Sequence, residues 1–101
     1  MVHRRLLSGF VRLHILHHAA TDALYGAWMT RELRRHGYRI SPGTLYPMLH
    51  GLERAGYLRS WRAREHHRVR RVYRATAKGK AALRIARARL KELFNELFER
   101  D

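Results

Sequence analysis

The segment ISPGTLYP at residues 40–47 decides how the rest of the sequence is interpreted. Ser41 followed by Pro42 is a strong start signal for a helix: serine can cap free backbone N–H groups, and proline at the first helical position has no N–H to leave unpaired. Apolar residues then recur at helical spacing until Gly56, a residue type that commonly follows a helix end. We therefore predict a helix from Pro42 to about Ala55.

Two further helices are predicted before this segment. Apolar and histidine residues at three- and four-residue steps indicate a first helix up to about Ala19. Thr21 and Asp22 offer side-chain oxygens that can cap a second helix, which runs through Leu33 and ends at Gly37. Two helices separated by a short connector, the later one beginning with Ser-Pro, are typical of a helix-turn-helix.

Beyond residue 56 the pattern changes to two short runs rich in aromatic and β-branched residues, separated by the polar stretch 64–68. These runs predict a β-hairpin, and because no Asn-Gly or Asp-Gly lies between them, we expect a long, mobile loop at its tip. The helical period returns after Thr76, its expected N-cap, with Gly79 as a weak point in the first turn. The predicted fold is mainly α with a small β-hairpin, a winged helix-turn-helix plus a C-terminal helix.

The amino-acid composition limits which classes of function are plausible. The 101 residues suffice for one domain, and 22 Lys and Arg against 8 Asp and Glu give a net charge of +14. Nucleic acid is the commonest partner of so basic a soluble domain, whereas a membrane surface fits less well, since the arginines do not line one amphipathic helix. Cysteine is absent, which excludes disulfides and thiolate zinc sites and fits a cytoplasmic protein. Arg12 and His14 interrupt the apolar N-terminal run, so neither a signal peptide nor a membrane span is expected.

Together these features predict that the helix at 42–55 enters the major groove of double-stranded DNA while the hairpin follows the backbone. Ser41 is expected mainly to cap its helix, and Thr44 and Tyr46 to contact DNA. A solvated charge run without a ligand is the alternative for the hairpin. The predicted DNA-binding residues are Ser41, Gly43, Thr44, Tyr46, Pro47 and His50 on the helix, and Arg64, His67, Arg68, Arg70, Arg71 and Tyr73 on the hairpin.

The last helix has a wide apolar face for so small a core, with Leu83, Leu90 and Leu97 seven residues apart. This face predicts a homodimer. The helix at 42–55, which we call the reading helix, would then occur twice, and the two copies would lie about 34–36 Å apart on an inverted-repeat operator. Packing against the first helix of the same chain is the alternative, and both are expected. Residues 1–76 would form the DNA-binding unit and 77–101 the dimerisation helix. The predicted dimer residues are Leu6, Phe10, Leu83, Ala86, Leu90, Leu93, Phe94 and Leu97.

Other functions are weighed against this one. His14, His17 and His18 could share a helix face and bind a metal ion, and His66 and His67 could gain charge in acid and tighten DNA contact, although neither a metal nor a cofactor is predicted. A general basic protein, architectural or RNA-binding, would use the same charge without sequence preference. The eight carboxylates form no recognisable acid–base pair, so no enzyme and no catalytic residue is predicted.

The sequence also resembles the PadR family of bacterial transcriptional regulators. The resemblance lies in 40–47, Leu49, Leu52-Glu53, 55–58, 70–76 and Gly79. It implies a winged-helix repressor that dimerises through its C-terminal helix, aided by the first, and that releases DNA on binding a phenolic acid, a drug or another signal. The family's DNA contacts correspond here to Thr44, Tyr46, Arg68, Arg70 and Arg71. The chain resembles the short form of the family; it departs at 23–28, where the usual proline is missing, and no residue pattern identifies an effector.

Overall fold

The computed structural model describes residues 3–99, so the outermost residues of the two predicted units, 1–2 and 100–101, lie outside it. The elements are α1 (Arg4–Thr21), β1 (Leu24–Tyr25), α2 (Gly26–Arg35), α3 (Pro42–Arg54), β2 (Leu58–Glu65), β3 (Arg68–Ala75), α4 (Ala77–Phe94) and a π-helical turn (Asn95–Glu99). The predicted winged helix-turn-helix with a C-terminal helix is confirmed, with one strand added.

The added strand is β1, a two-residue segment between α1 and α2. It joins β3 in a three-stranded antiparallel sheet of order β1-β3-β2, with Leu24 opposite Tyr73. The prediction that Thr21 and Asp22 cap α2 is wrong, because Thr21 belongs to α1 and the Asp22 carboxylate accepts a bond from the Ala23 N–H. The residue before α2 is Tyr25, and its side chain makes no capping hydrogen bond.

The tip of the hairpin also differs from the prediction. Both strands continue to a two-residue turn, with Glu65 opposite Arg68 and only His66 and His67 between them. Both histidines are left-handed, at φ 50° and 66°. Two successive left-handed residues form the turn that matches the twist of a hairpin, a conformation that glycine and asparagine adopt most easily but that histidine also visits. The prediction of a long loop at 64–68 is therefore wrong, because the strands pair up to Glu65 and Arg68.

The core lies where α1, α2 and α3 meet the sheet. It contains the apolar stripe predicted on α3 and the inner faces of the other elements. Its fully buried side chains include Val11, Ile15, Met29, Leu33, Leu45, Leu49, Leu58 and Tyr73. The core thus fixes which face of α3 is turned outward.

The start of α4 is joined to the end of α3. Thr76 caps α4 as predicted, accepting from the Gly79 N–H at 3.0 Å while its hydroxyl donates to the Gly56 carbonyl at 2.6 Å. Lys78 donates to the Ala55 carbonyl at 2.7 Å. Gly79 is not a weak point: a Cβ there would overlap the Tyr57 carbonyl, so glycine lets α4 approach the chain after α3.

Candidate nucleic-acid interface

The outward face of α3 carries the residues predicted to read DNA. Ser41, Gly43, Tyr46, Pro47 and His50 are exposed and Thr44 is half-buried. On the opposite face, Leu45 and Leu49 are buried in the core. A helix anchored on one side by apolar packing and exposing small and polar groups on the other is suited to enter a major groove.

Ser41 occupies the N-cap position but does not cap with its side chain. Its backbone carbonyl accepts from the N–H groups of Thr44 and Leu45, at 3.0 and 2.9 Å. Its hydroxyl instead lies 3.5 Å from the Thr44 hydroxyl. The capping role predicted for the Ser41 side chain is therefore wrong, and the two hydroxyls lie together at the start of α3.

Tyr46 both packs and remains accessible. Its phenol rests on Gly26, the first residue of α2, and its ring centroid is 6.4 Å from that of His50. The residue is 38% exposed. Contact with α2 therefore fixes the position of a side chain that solvent, or DNA, can still reach.

Tyr73 cannot contact DNA as predicted, because it is 1% exposed and part of the core. Side chains alternate between the faces of a strand, and at position 73 the side chain of β3 points inward. Burial, with a further contribution from Glu53, raises the pKa of its phenol above the usual value.

The other predicted hairpin residues do form a basic surface. Arg64, His67, Arg68 and Arg71 are exposed and Arg70 is half-buried. Arg71 Nη1 donates to Ser60 Oγ at 3.0 Å, and Ser60 donates to Glu53 Oε2 at 2.8 Å. This chain of hydrogen bonds links β3 through β2 to α3. It therefore holds the hairpin of β2 and β3, which we call the wing, in a defined orientation beside α3, the reading helix.

Sequence reasoning missed Tyr25. The guanidinium carbon of Arg70 lies 4.4 Å from the Tyr25 ring centroid, in a cation–π contact. The residue was missed because a two-residue strand has no detectable period. Its pairing with β3 could not be foreseen from the sequence.

The histidines considered for metal binding belong to a cluster around Glu32. This carboxylate is 9% exposed, accepts from Arg35 at 2.9 Å, and lies 3.0 Å from His36 Nε2 and 3.5 Å from His18 Nε2. His14 instead stacks on His36, with ring centroids 5.1 Å apart. Across residues 3–99, no group of three or more His, Cys, Asp or Glu side chains is arranged to hold a metal ion.

The pKa values of this cluster are shifted. Burial, followed by neighbouring histidines, lowers the pKa of His14 and of His18 below 6.5. The hydrogen bond with His36 is the largest cause that lowers the pKa of Glu32. The cluster thus favours neutral imidazoles at positions 14 and 18 beside an ionised carboxylate.

Most of the predicted dimer residues form an uncovered apolar surface on α1 and α4. Leu6 is 74% exposed and Leu97 63%, and a groove of about 450 Å³ runs between the two helices. Phe10, Leu93 and Phe94 are also exposed, while Ala86 and Leu90 are half-buried. Leu83 differs, because it packs against the core of its own chain. Leu83 is half-buried like Ala86 and Leu90, and its place in a dimer stays a prediction.

Within the described part of the chain, no helix is both long and apolar enough to cross a membrane.

Comparison with known proteins supplies the family context. The model of the transcriptional regulator PadR-like family matches residues 15–85. The chain is 60% identical over 94 residues to "Transcriptional regulator Rv3488" of Mycobacterium tuberculosis (strain ATCC 25618 / H37Rv), covering 93% of this chain and 88% of that protein.

Solved structures agree with this. The PadR family transcriptional regulator from Eggerthella lenta DSM 2243 is 28% identical with a TM-score of 0.81, over 94% of this chain and 84% of that one. For the fold alone, a PadR-like transcription factor from Bacteroides fragilis, 24% identical, also has a TM-score of 0.81, over 95% and 94% of the two chains.

Proposed function

Because this chain belongs to the PadR-like family of transcriptional regulators, we propose that it is a sequence-specific repressor that binds an inverted-repeat operator as a homodimer in the cytoplasm. It is a regulator and not an enzyme. The observation that carries the proposal is the outward face of α3, which lies beside a wing rich in arginine.

Helix α3 and the wing carry different chemical groups, and their proposed roles differ accordingly. Thr44 presents a hydroxyl and Tyr46 a partly exposed aromatic side chain on a helix, and a helix fits the major groove, where base edges differ from pair to pair. The wing presents guanidinium groups, which suit phosphates and carry no sequence information of their own. In this proposal α3 supplies preference among sequences and the wing supplies affinity for any duplex.

Dimerisation is supported by the apolar surface on α1 and α4. Large exposed apolar side chains clustered in one region indicate an interface, because monomeric proteins rarely leave a large patch uncovered. Phe94 and Phe98 pack against each other there, with ring centroids 5.0 Å apart and ring planes inclined by 49°. A second copy that covers this surface would give the molecule two reading helices.

Release of the operator by a small molecule belongs to the same proposal. The groove between α1 and α4 is lined mainly by apolar side chains together with Arg12, and both Leu52 of α3 and Tyr57 contribute to its lining. A largely apolar ligand bound there would touch the reading helix as well as the dimer surface.

Selection of duplexes from random DNA tests the proposal. Purified protein should enrich one inverted repeat and bind it at least about 1,000-fold more tightly than random DNA at moderate salt. Tyr46→Ala should reduce this preference, whereas Arg70→Ala should weaken binding to all duplexes alike. Equal affinity for every duplex would instead identify a general basic DNA-binding protein.

The oligomeric state is tested separately. Leu97→Glu places a charge on the exposed apolar surface and should convert the dimer into a monomer in analytical ultracentrifugation. A monomeric wild-type protein would contradict the proposed dimer.

A further inference from the structure

A polar cleft beside α3 combines arginine and tyrosine side chains from three elements. It measures about 290 Å³ and is lined by residues 25–27, Tyr46 and residues 68–71. The residues that line it, all within the described part of the chain, include no aspartate or glutamate. The cleft therefore has cationic and hydroxyl groups without an internal counter-ion.

The pairing of β1 with β3 builds one wall of this cleft. Tyr25 lies opposite Val72, so Arg70, two residues away along β3, projects from the same face of the sheet. The Arg70 guanidinium is thereby held 4.4 Å from the centroid of the Tyr25 ring. A two-residue strand is enough to produce this arrangement, since it needs only one aromatic residue beside β3.

The manner in which Arg70 is held determines what it can bind. A cation–π contact positions the guanidinium through the ring face and leaves the planar fork of N–H donors available. Arg71 is different, because it already donates to Ser60. Among residues 3–99 no carboxylate forms an ion pair with Arg70. A stacked guanidinium of this kind suits a singly charged oxyanion, which can accept two parallel hydrogen bonds.

The proposed function already assigns Arg70 to the duplex backbone; we infer that Tyr25 is the residue that positions the Arg70 guanidinium, so that the pair binds one phosphate of the duplex. The inference rests on the proposed function, because the phosphate is that of the DNA whose groove α3 enters. Tyr46 lines both this cleft and the outward face of α3. The phosphate therefore lies next to the base pairs that α3 contacts, and fixes the register of that helix on the DNA.

The test measures affinity for a random-sequence duplex as salt is raised from about 50 to about 200 mM, because phosphate contacts do not depend on sequence. Arg70→Gln should make the plot of log K against log salt less steep by about 1, the contribution of one phosphate contact. Tyr25→Leu should weaken binding several-fold, and Tyr25→Phe should restore most of that loss because the ring remains. Arg84→Gln, an exposed arginine on α4 outside the cleft, is the matched control and should keep the wild-type slope.

A double variant separates positioning from general damage to the fold. If Tyr25 acts through Arg70, Tyr25→Leu should cause no further loss in the Arg70→Gln background, whereas independent effects would add. Additive losses, or an unchanged slope in Arg70→Gln, would overturn the inference. Wild-type protein that binds no duplex would refute the proposed function itself, which is a different result from wild-type binding with unaffected variants.

Discussion

The phenol of Tyr46 rests on the backbone of Gly26, so closely that its hydroxyl lies within the space that a Cβ at position 26 would occupy. Tyr46 belongs to α3 and Gly26 begins α2. The two helices of the helix-turn-helix therefore meet where one of them has no side chain. The same contact fixes the position of the Tyr46 ring, which also faces the proposed DNA-binding surface.

Gly26→Ala should destabilise the protein by about 1–3 kcal/mol, because the added methyl group must displace the Tyr46 ring. Urea unfolding measures the change. Gly51→Ala is the matched control: its Cβ would meet no atom within 4 Å, and alanine in a helix interior is favoured over glycine by about 0.5–1 kcal/mol. Equal stability of the two variants would contradict the proposed contact.

The elements that sequence predicts well are those with a long, regular pattern. The helix at 42–55 combines Ser-Pro, four apolar residues at helical spacing and a following glycine, and the structure ends it one residue earlier, at Arg54. The strand β1 has two residues and shows no period. Its place beside β3 is a tertiary contact, so the Tyr25–Arg70 pair could not be predicted.

The errors at individual site residues have a similar cause. In the run that carries Val69, Val72 and Tyr73 the sequence predicts a strand, but a shift of one residue exchanges its two faces. Tyr73 is among the predicted DNA-binding residues of the hairpin, yet its ring fills the core. Only the packing of three helices against the sheet decides which face is inside.

Gly79→Ala should cost more than Gly26→Ala, above about 2 kcal/mol. The atom in the way is the Tyr57 carbonyl oxygen, which belongs to the backbone and cannot rotate aside as the Tyr46 side chain can. Moving α4 outward would also disturb the Thr76 hydroxyl bond to the Gly56 carbonyl. Denaturant unfolding of both variants in parallel measures which of them loses more stability. A Gly79→Ala protein as stable as the wild type would refute the prediction.

The stability of the protein should fall as the pH is lowered from about 7.5 to about 5. Burial lowers the pKa of His14 and His18 below 6.5, so the unfolded chain takes up protons at these positions before the folded protein does. Their contribution to stability is complete above 6.5 and is lost below it. Glu32, whose pKa is lowered from 4.5, keeps its contribution across this window and loses it only in stronger acid.

The titratable groups that face one another in this cluster are His14, His17 and His18 of α1, Glu32 and Arg35 of α2, His36 at the C-cap of α2, and Tyr38 of the connector. His14→Phe keeps a ring against His36 but cannot be protonated, so its unfolding free energy should depend less on pH than that of the wild type. His50→Gln changes an exposed histidine of α3 outside the cluster and serves as the control. If the unfolding free energies of His14→Phe and the wild type change by the same amount with pH, His14 does not contribute to the pH dependence of stability.

Ser60→Ala should weaken both the fold and DNA binding, because the Ser60 hydroxyl connects Glu53 of α3 to Arg71 of the wing. Removing it deprives a carboxylate and a guanidinium of a shared partner, which should lower the unfolding free energy by about 1–3 kcal/mol. The wing then loses its fixed orientation beside α3, so affinity for any duplex should fall several-fold.

The hydroxyl itself is responsible if Ser60→Thr recovers both properties. Ser8→Ala is the control for loss of a serine hydroxyl, since Ser8 is half-buried on α1 and, within residues 3–99, its hydroxyl donates to the Arg5 carbonyl of its own helix. It should change stability by less than about 0.5 kcal/mol and leave DNA affinity as it is. A Ser60→Ala protein with full stability but reduced affinity would locate the effect in the wing alone, and one unchanged in both measurements would show that α3 and the wing are held together by the sheet and core without this link.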